Sequence, residues 1–408
     1  MGRGPGQVMQ PREPVAAGIF PCRNRAFVPC STHDKERPMA TVYYLDARER
    51  YTQGSLMARL QMLLDAAELP ALFQPGDWVA IKIDVSEHGY LDYLRPPLIR
   101  AIVEQIQALG GDPFLIDTTY LNSGASTLSW NLLETSAHKG FVASVLGKDV
   151  ILGDGYTGNE YELLPIEGEE LGGVEVARSI AEASALIVVS HVTAHPFAGL
   201  SGALANLGIG GSARRGKWRI HAPLQPILIP ERCNGCGLCM EECLKGAIRS
   251  EGDGLVIDDE LCAGCVYYCT AACPYGALVV DGIAAQRFQK RIVEAASAVH
   301  VAALGNVHFF NFLFDIGPYP DYYPFSDSAI VPDVGILSSR DPVALDQATL
   351  DFIDRMPGLP RSMAEEAGAL APGPGKLKHI TGVDPELMLE YAEQFGLGTR
   401  RYELVEVR

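Results

Sequence analysis

Eight of the chain's 10 cysteines fall between Ile229 and Asp281. They form two runs, Cys233, Cys236, Cys239 and Cys243, then Cys262, Cys265, Cys269 and Cys273. Thiols at this density are ligands or cross-links before they are core residues. Asn234, Gly235 and Gly237 leave the first loop free to turn and to aim backbone N–H groups at sulfur. A disulfide framework belongs to small secreted chains, whereas this one has 408 residues and no clean signal peptide. Structural zinc, which joins close cysteine pairs across a longer loop, is the second alternative.

The two runs, the second closing on Cys273-Pro274, resemble the bacterial ferredoxin pattern for cubane clusters. A 4Fe–4S cube offers four irons, each taking one thiolate. A tight loop grips three corners, and the fourth ligand must come from elsewhere. In two-cluster ferredoxins the last cysteine of the opposite run supplies it. The resemblance therefore implies Cys233, Cys236, Cys239 and Cys273 for cluster one, and Cys243, Cys262, Cys265 and Cys269 for cluster two. Val266, Tyr267 and Tyr268 separate Cys265 from Cys269, one residue more than the pattern has. That residue is either absorbed as a bulge or leaves cluster two strained, labile or three-iron. Leu244 stands where a proline usually follows the first run, and neither departure removes a ligand.

Composition narrows the rest. Hydrophobic content of 48% and charged content of 20% are those of a globular protein with real cores. No apolar run reaches membrane-spanning length. A net charge of −17 argues against nucleic acid as a partner and leaves a redox partner protein with a basic face, or a small-molecule substrate. Reduced thiols in this number point to the cytoplasm.

Residues 1 to 38 are rich in Gly, Pro and Arg and show no period, so they read as a disordered or mis-started extension, with Met39 the functional start. Cys22 and Cys30 lie in it and receive no role. From Thr41 an α/β rhythm sets in. Strands are expected at 41–45, 78–83, 114–117, 161–166 and 185–190, with helices at 56–67, 97–109, 129–140 and 176–183. After the cysteine runs, helices are expected at 284–298, 345–352 and 385–394, and strands at 299–304, 307–314 and 402–407. Strands alternating with helices imply a mainly parallel sheet covered on both faces, with ligands beyond the carboxyl ends of its strands. Asp84 and Asp117 are site candidates on that ground, against a plain capping role. Asp154, in the turn at 152–155, is a further loop carboxylate.

The second informative stretch follows the strand at 185–190. It holds His191 and His195, a glycine-rich segment with Asn206, Gly208, Gly210 and Gly211, then Lys217 and His221. A glycine-rich loop after a strand lets N–H groups approach an anion, and the cations after it would neutralise one. No phosphate-loop or dinucleotide fingerprint is present. The reading is an anion or cofactor loop, against tight packing of a small-residue helix. His191 and His195 are candidates for a metal pair, a proton relay or ordinary hydrogen-bonded residues.

With these pieces in view the chain resembles a family of uncharacterised Fe–S centre proteins, a domain of unknown function carrying an embedded two-cluster ferredoxin. The likeness runs from about Trp78 to Phe352. It rests on VAIKI, RPPLIRAIVEQIQALGGDPFLIDTTYL, the SH and NLGIG blocks, GKWRIH, both cysteine runs and PDVGILSSRDPVALDQATLDF. Lysines common to the family in the SH and ALKNLG blocks are replaced at or beside Ala194 and Ala205. A Cys-Asp-Cys triplet common to the family survives only as Asp321, flanked by Pro320 and Tyr322.

The organisation expected is an α/β body at 39–229 and 283–408, in one or two lobes. An inserted α+β ferredoxin-type 4Fe–4S module would occupy 230–282. The leading function is passage of single electrons through two 4Fe–4S clusters to or from a ligand or partner of the body. One alternative is an oxidoreductase reducing a small anionic substrate or flavin held at 191–221. Another is a redox-sensing or assembly factor. The catalytic candidates are Asp117, His191, His195, Lys217 and His221, and the cofactor candidates are Asn206, Gly208, Gly210 and Gly211.

Overall fold

The computed structural model describes residues 38–48, 54–121, 129–252 and 254–408. The reading of 1 to 38, with Cys22 and Cys30, falls outside them apart from Pro38. The first half of the body contains β1 (Ala40–Asp46), α1 (Leu56–Ala66), β2 (Trp78–Lys82), α2 (Pro96–Ala108), β3 (Asp112–Asp117), α3 (Ser129–His138), α4 (Ala143–Leu146) and β4 (Val150–Leu152). There follow β5 (Tyr161–Pro165), β6 (Gly173–Ala177), α5 (Arg178–Glu182), β7 (Ala185–His191), β8 (Thr193–His195), β9 (Gly199–Ser201), α6 (Ala203–Gly208) and α7 (Arg214–His221).

The cysteine-bearing part is built from short pieces: β10 (Ile227–Leu228), α8 (Leu238–Glu241), β11 (Ile248–Glu251), β12 (Gly254–Ile257), α9 (Tyr267–Ala271) and β13 (Leu278–Val279). The chain then returns to the body through α10 (Gly282–Ala302), β14 (Val307–Leu313), β15 (Gly335–Ser339), α11 (Pro342–Arg355), α12 (Met363–Glu366), α13 (Lys376–Thr381), α14 (Glu386–Phe395) and β16 (Tyr402–Glu406).

Among the described residues the main sheet has the order β16-β1-β15-β14-β7-β2-β3-β4. All its neighbours are parallel except those that β15 makes with β1 and β14. Every residue of β7 and β14 is buried, as a strand covered on both faces requires. Alternate residues serve opposite faces. Ala185, Ile187 and Val189 pack with α1 and α2, while Leu186 and Val188 pack with α6, α10 and α11. Each such side chain contributes roughly 1.5–3 kcal/mol of burial. Two parts of the chain separated by the cysteine runs thus build one sheet and one three-layer body.

That sheet has a switch point. From β2 the chain progresses outward to β3 and β4, and from β7 it progresses the other way to β14 and β15. Chain ends diverge between β2 and β7 and leave a crevice beyond their carboxyl ends.

The cysteine-bearing part has a small core of its own, Cys239, Ile248, Cys269 and Leu278, and two-stranded pairings β10–β13 and β11–β12. Its two halves repeat a local motif. The backbone N–H of Ala247 bonds Cys243 Sγ at 3.2 Å, and that of Ala277 bonds Cys273 Sγ at 3.2 Å.

Three sequence expectations are corrected. Residues 176–183 are the end of β6 and then α5, because Val176 pairs with Glu162 across a hairpin. The strand expected at 299–304 is the last turn of α10, which stops only where Leu304 and Gly305 take positive φ. The glycine-rich loop is largely the helix α6, packed on α10. A Cβ on Gly208 would lie 2.3 Å from Ile292 O, and one on Gly211 would meet Val299 at 2.7 Å.

Gly208→Ala should therefore lose about 1–3 kcal/mol through overpacking. Gly282→Ala, where a Cβ meets nothing within 4 Å, should be neutral or slightly stabilising. Thermal unfolding of the two variants checks this, and equal melting temperatures would contradict it.

Candidate functional site

The crevice at the switch point is a cavity with about 730 Å³ of non-atom space, part of it open to solvent. The strand ends supply Lys82 from β2 and Asp84 just after it, Asp117 from β3, and Ser190 and His191 from β7. Helices α6 and α7 bring Asn206, Lys217 and His221, and the loop after β14 brings Pro320, Asp321 and Tyr322. The structure thus gathers Asp117, His191, His195, Lys217, His221, Asn206 and Gly210 around one space. Gly208 and Gly211 instead make room for α10. Gly210 does face the site, since a Cβ there would lie 2.9 Å from Lys82 Cε.

Lys82 is 1% exposed. Its ammonium donates to Ile83 O at 2.6 Å and Asn206 Oδ1 at 3.0 Å, and pairs with Asp117 Oδ1 at 3.0 Å. Three partners use all three of its protons. Asp117 also accepts from the N–H groups of Val85 and Thr118. Burial pushes the Asp117 carboxyl up, and the Lys82 charge opposes that. Lys217 donates to Thr119 O at 2.8 Å and Thr118 O at 3.3 Å. Burial lowers its ammonium to about 8 against the pull of Asp154 and Asp117. Asp154 itself holds the Thr119 N–H and hydroxyl, and burial pushes its carboxyl up.

Hydrogen bonds fix the three histidines in different states. Both nitrogens of His191 face acceptors at 2.8 Å, Asp321 Oδ1 and Phe314 O, so both carry protons. Burial alone would lower this group, but Asp321 and these bonds hold it up to about 9. His195 Nδ1 accepts from the N–H groups of Phe197 and Ala198, so its ring proton sits on Nε2 and faces Tyr322 Oη at 2.7 Å. His221 Nδ1 donates to Lys217 O, which leaves Nε2 as a bare acceptor. Burial pushes His195 down to about 3 and His221 to about 4.

The expected anion loop has a different electrostatic partner. The first N–H groups of α6, on Ala203 and Leu204, are taken by Asp346 at 2.8 and 2.9 Å. Asn311 also donates to Asp346, whose carboxyl burial raises to about 6. Gly202 is required there, since a Cβ would lie 2.4 Å from Asp346 Oδ1. No helix N-terminus of α6 remains for a ligand anion.

Two smaller recesses lie in the cysteine-bearing part. One, of about 300 Å³, is lined by Cys233, Cys236, Cys239 and Cys273, and the other, of about 340 Å³, by Cys243, Cys262, Cys265 and Cys269. None of these eight cysteines is in a disulfide. Among the described residues no three His, Cys, Asp or Glu side chains converge as the ligands of a single ion do. Cys236 is exposed, whereas Cys262 and Cys269 are buried. The second recess abuts the body. A Cβ on Gly264 would lie 2.1 Å from His221 O, and Gln225 donates to Asp259 O.

Sequence reasoning missed Tyr120 and the role of Asp346, and named Tyr322 only as part of an aromatic loop. Tyr120 donates to Asp84, and Tyr322 meets His195. The aromatic loop 320–324, which from sequence offers either a face for a planar substrate or plain packing, lines the cavity through Tyr322 and packs through Tyr323: Tyr267 lies 4.7 Å from Tyr323, which lies 5.3 Å from Tyr322, ring centre to ring centre. The signal available in sequence was the Tyr267-Tyr268 pair inside the second cysteine run and the Tyr322-Tyr323 pair beyond β14.

His191 gives a pH dependence with a defined sign. Its folded-state value of about 9 lies above the ordinary imidazole value of 6.5, so its contribution is full below about 6.5 and is lost as pH rises through about 9. The magnitude is about 3 kcal/mol. Asp321→Asn keeps a hydrogen-bond acceptor and removes the charge. Urea unfolding at pH 7 and pH 9.5 should show a wild-type loss that the variant lacks, and parallel losses would contradict it.

Similarity to known proteins is uneven in extent. Over 48 residues the chain is 46% identical to the probable anaerobic dimethyl sulfoxide reductase chain YnfG of two Escherichia coli strains. That stretch is 11% of this chain and 23% of the relative, so the chain spans under a quarter of the curated relative's length. The lactate racemase apoprotein of Thermoanaerobacterium thermosaccharolyticum aligns over 68% of this chain and 51% of its own, at 13% identity and TM-score 0.35. A structural-genomics protein of Thermotoga maritima aligns over 70% and 55%, at 11% identity and TM-score 0.35. Residues 79–351, more than half of the chain, match the domain of unknown function DUF362, and the chain belongs to that family.

Proposed function

We propose that the chain is an iron–sulfur protein with two 4Fe–4S clusters, through which single electrons pass to or from a ligand held in the cavity of its α/β body. The observation that carries this is the partition of the eight cysteines into two recesses of four. The partition is the crossed one, with Cys273 joining the first run and Cys243 the second. Residues 230–282 would then act as a ferredoxin-type module inserted in the body, as their separate small core supports.

A cubane spreads its ligands over four irons, so its thiolates stand farther apart than the ligands of one zinc ion. Convergence on a single ion is not what a cluster requires. The N–H bonds to Cys243 and Cys273 stabilise thiolate and favour electron acceptance. The local likeness to a reductase chain supports a redox role.

The geometry also favours a direction of use. Cluster one would sit at the exposed end, beside Cys236, for exchange with a partner protein. Cluster two would sit against the wall formed by His221. This supports the oxidoreductase form of the reading, in which the cavity ligand is reduced or oxidised. Asp346 of α11, which holds the α6 N-terminus, weakens the anionic-substrate and flavin-phosphate version. No described helix is long and apolar enough to cross a membrane. A cytoplasmic setting follows from the cluster chemistry and is part of the proposal.

Anaerobic preparations should contain about eight irons and eight sulfides per chain. Cys236→Ala and Cys265→Ala should each remove about four irons, and the remaining visible absorbance should still bleach with reductant. Zinc without iron, or iron unaffected by either substitution, would overturn the proposal.

A further inference from the structure

The hydrogen-bond capacity of the cavity, taken group by group, states what its ligand must offer. Lys82, Asp117 and Asn206 are committed to one another and to backbone. Both nitrogens of His191 and of His195 are committed. Asp84 Oδ2 and the Ser190 and Ser201 hydroxyl protons keep capacity, and so do four further groups. Lys217 has two carbonyl partners and three protons. Tyr322 receives the His195 Nε2 proton, so its own hydroxyl proton points elsewhere, and among the described residues no second partner takes it. His221 keeps a bare Nε2. Asp321 is 5% exposed, lines the cavity, and has an Oδ2 that is buried without a partner. Donors and acceptors therefore remain side by side, and Asp321 and Tyr322 are adjacent in the chain.

Charge narrows the ligand further. The ionisable lining sets Lys82, Lys217 and His191 against Asp84, Asp117 and Asp321, which cancel formally. No arginine lines the space, and the α6 N-terminus is already paired with Asp346. A phosphate or dicarboxylate would find one cation with a spare proton in a chain of net charge −17. A molecule that brings one donor and one acceptor and no net charge leaves neither Asp321 nor Lys217 unsatisfied.

We propose that the cavity binds a small molecule of no net charge that carries an acceptor oxygen beside an N–H or O–H donor, an amide or a zwitterionic amino acid being the simplest forms. Its oxygen takes the Tyr322 and Lys217 protons, and its donor group faces His221 Nε2 beside the Asp321 carboxylate. The inference rests on the cavity being the ligand site of the function proposed above, and it does not depend on the clusters.

The test uses the iron-loaded full chain and four probes, acetamide, glycine, acetate and inorganic phosphate, in saturation-transfer NMR titrations. Acetamide and glycine should bind at least tenfold more tightly than acetate or phosphate. Tyr322→Phe should weaken acetamide about fivefold to tenfold, as loss of one hydrogen bond does. Asp84→Asn keeps an oxygen for Ser86 N–H and Tyr120 and makes the lining formally positive. In that variant acetate should gain at least fivefold on acetamide. Tighter binding of acetate or phosphate in the wild type, no saturable binding of acetamide and glycine, or acetamide binding indifferent to Tyr322→Phe would each overturn the proposal. A chain that takes up no iron under anaerobic reconstitution yet still binds acetamide would remove the cluster reading and leave this one standing.

Discussion

The arrangement of the whole site depends on one buried ion pair, Lys82 with Asp117. It joins the carboxyl ends of neighbouring strands β2 and β3. Through Asn206 it also fastens α6, and Asn206 in turn holds Val189 O on β7. A charge pair so fully removed from water is stable only because further bonds satisfy both partners. Removing either would strand a buried charge at a cost of about 3–5 kcal/mol. The pair is thus a clamp at the switch point of the sheet, and it accounts for why two charged residues sit deepest in the cavity without being free to bind a ligand.

The second constraint is how the cysteine-bearing part leans on that clamp's surroundings. Gly264, between Cys262 and Cys265, touches the His221 backbone so closely that no side chain fits. Tyr267 enters the cluster of Tyr319, Tyr323 and Phe325 on the body. The extra residue between Cys265 and Cys269 thus lies in the segment that starts α9 and presents Tyr267 to the body. One recess of four cysteines is held against the cavity wall, and the other includes the exposed Cys236. A carrier that only exchanges electrons at its surface has no need of that asymmetry.

Much of the fold was legible because β7 and β14 are short, largely apolar runs and the helices between strands are amphipathic. What failed did so for identifiable reasons. Residues 299–304 are mostly apolar, with Val299 and Val301, yet 299–302 complete α10 because the helix is already packed on α6 and α14. The glycines at 208 and 211 suggested a loop around an anion, but their role is close approach of two helices, a tertiary fact invisible to local pattern. His191, His195, Lys217 and His221 could be named from sequence, since they follow a strand that had to end at the sheet's ligand edge. Their protonation states could not, because Asp321, Phe314 and Tyr322 come from more than 100 residues away. The crossed grouping of the cysteines came from the ferredoxin resemblance, since the reach of a tight loop says only that a fourth ligand must come from elsewhere.

The central claim is that electrons enter the body through two cubane centres. It is tested most directly by low-temperature EPR of the anaerobic chain, oxidised and then fully reduced. The account gives a near-silent oxidised state and, on reduction, signals of reduced cubanes integrating to about two spins per chain. A reduced chain without such spins, in protein whose eight cysteines are intact, would contradict it.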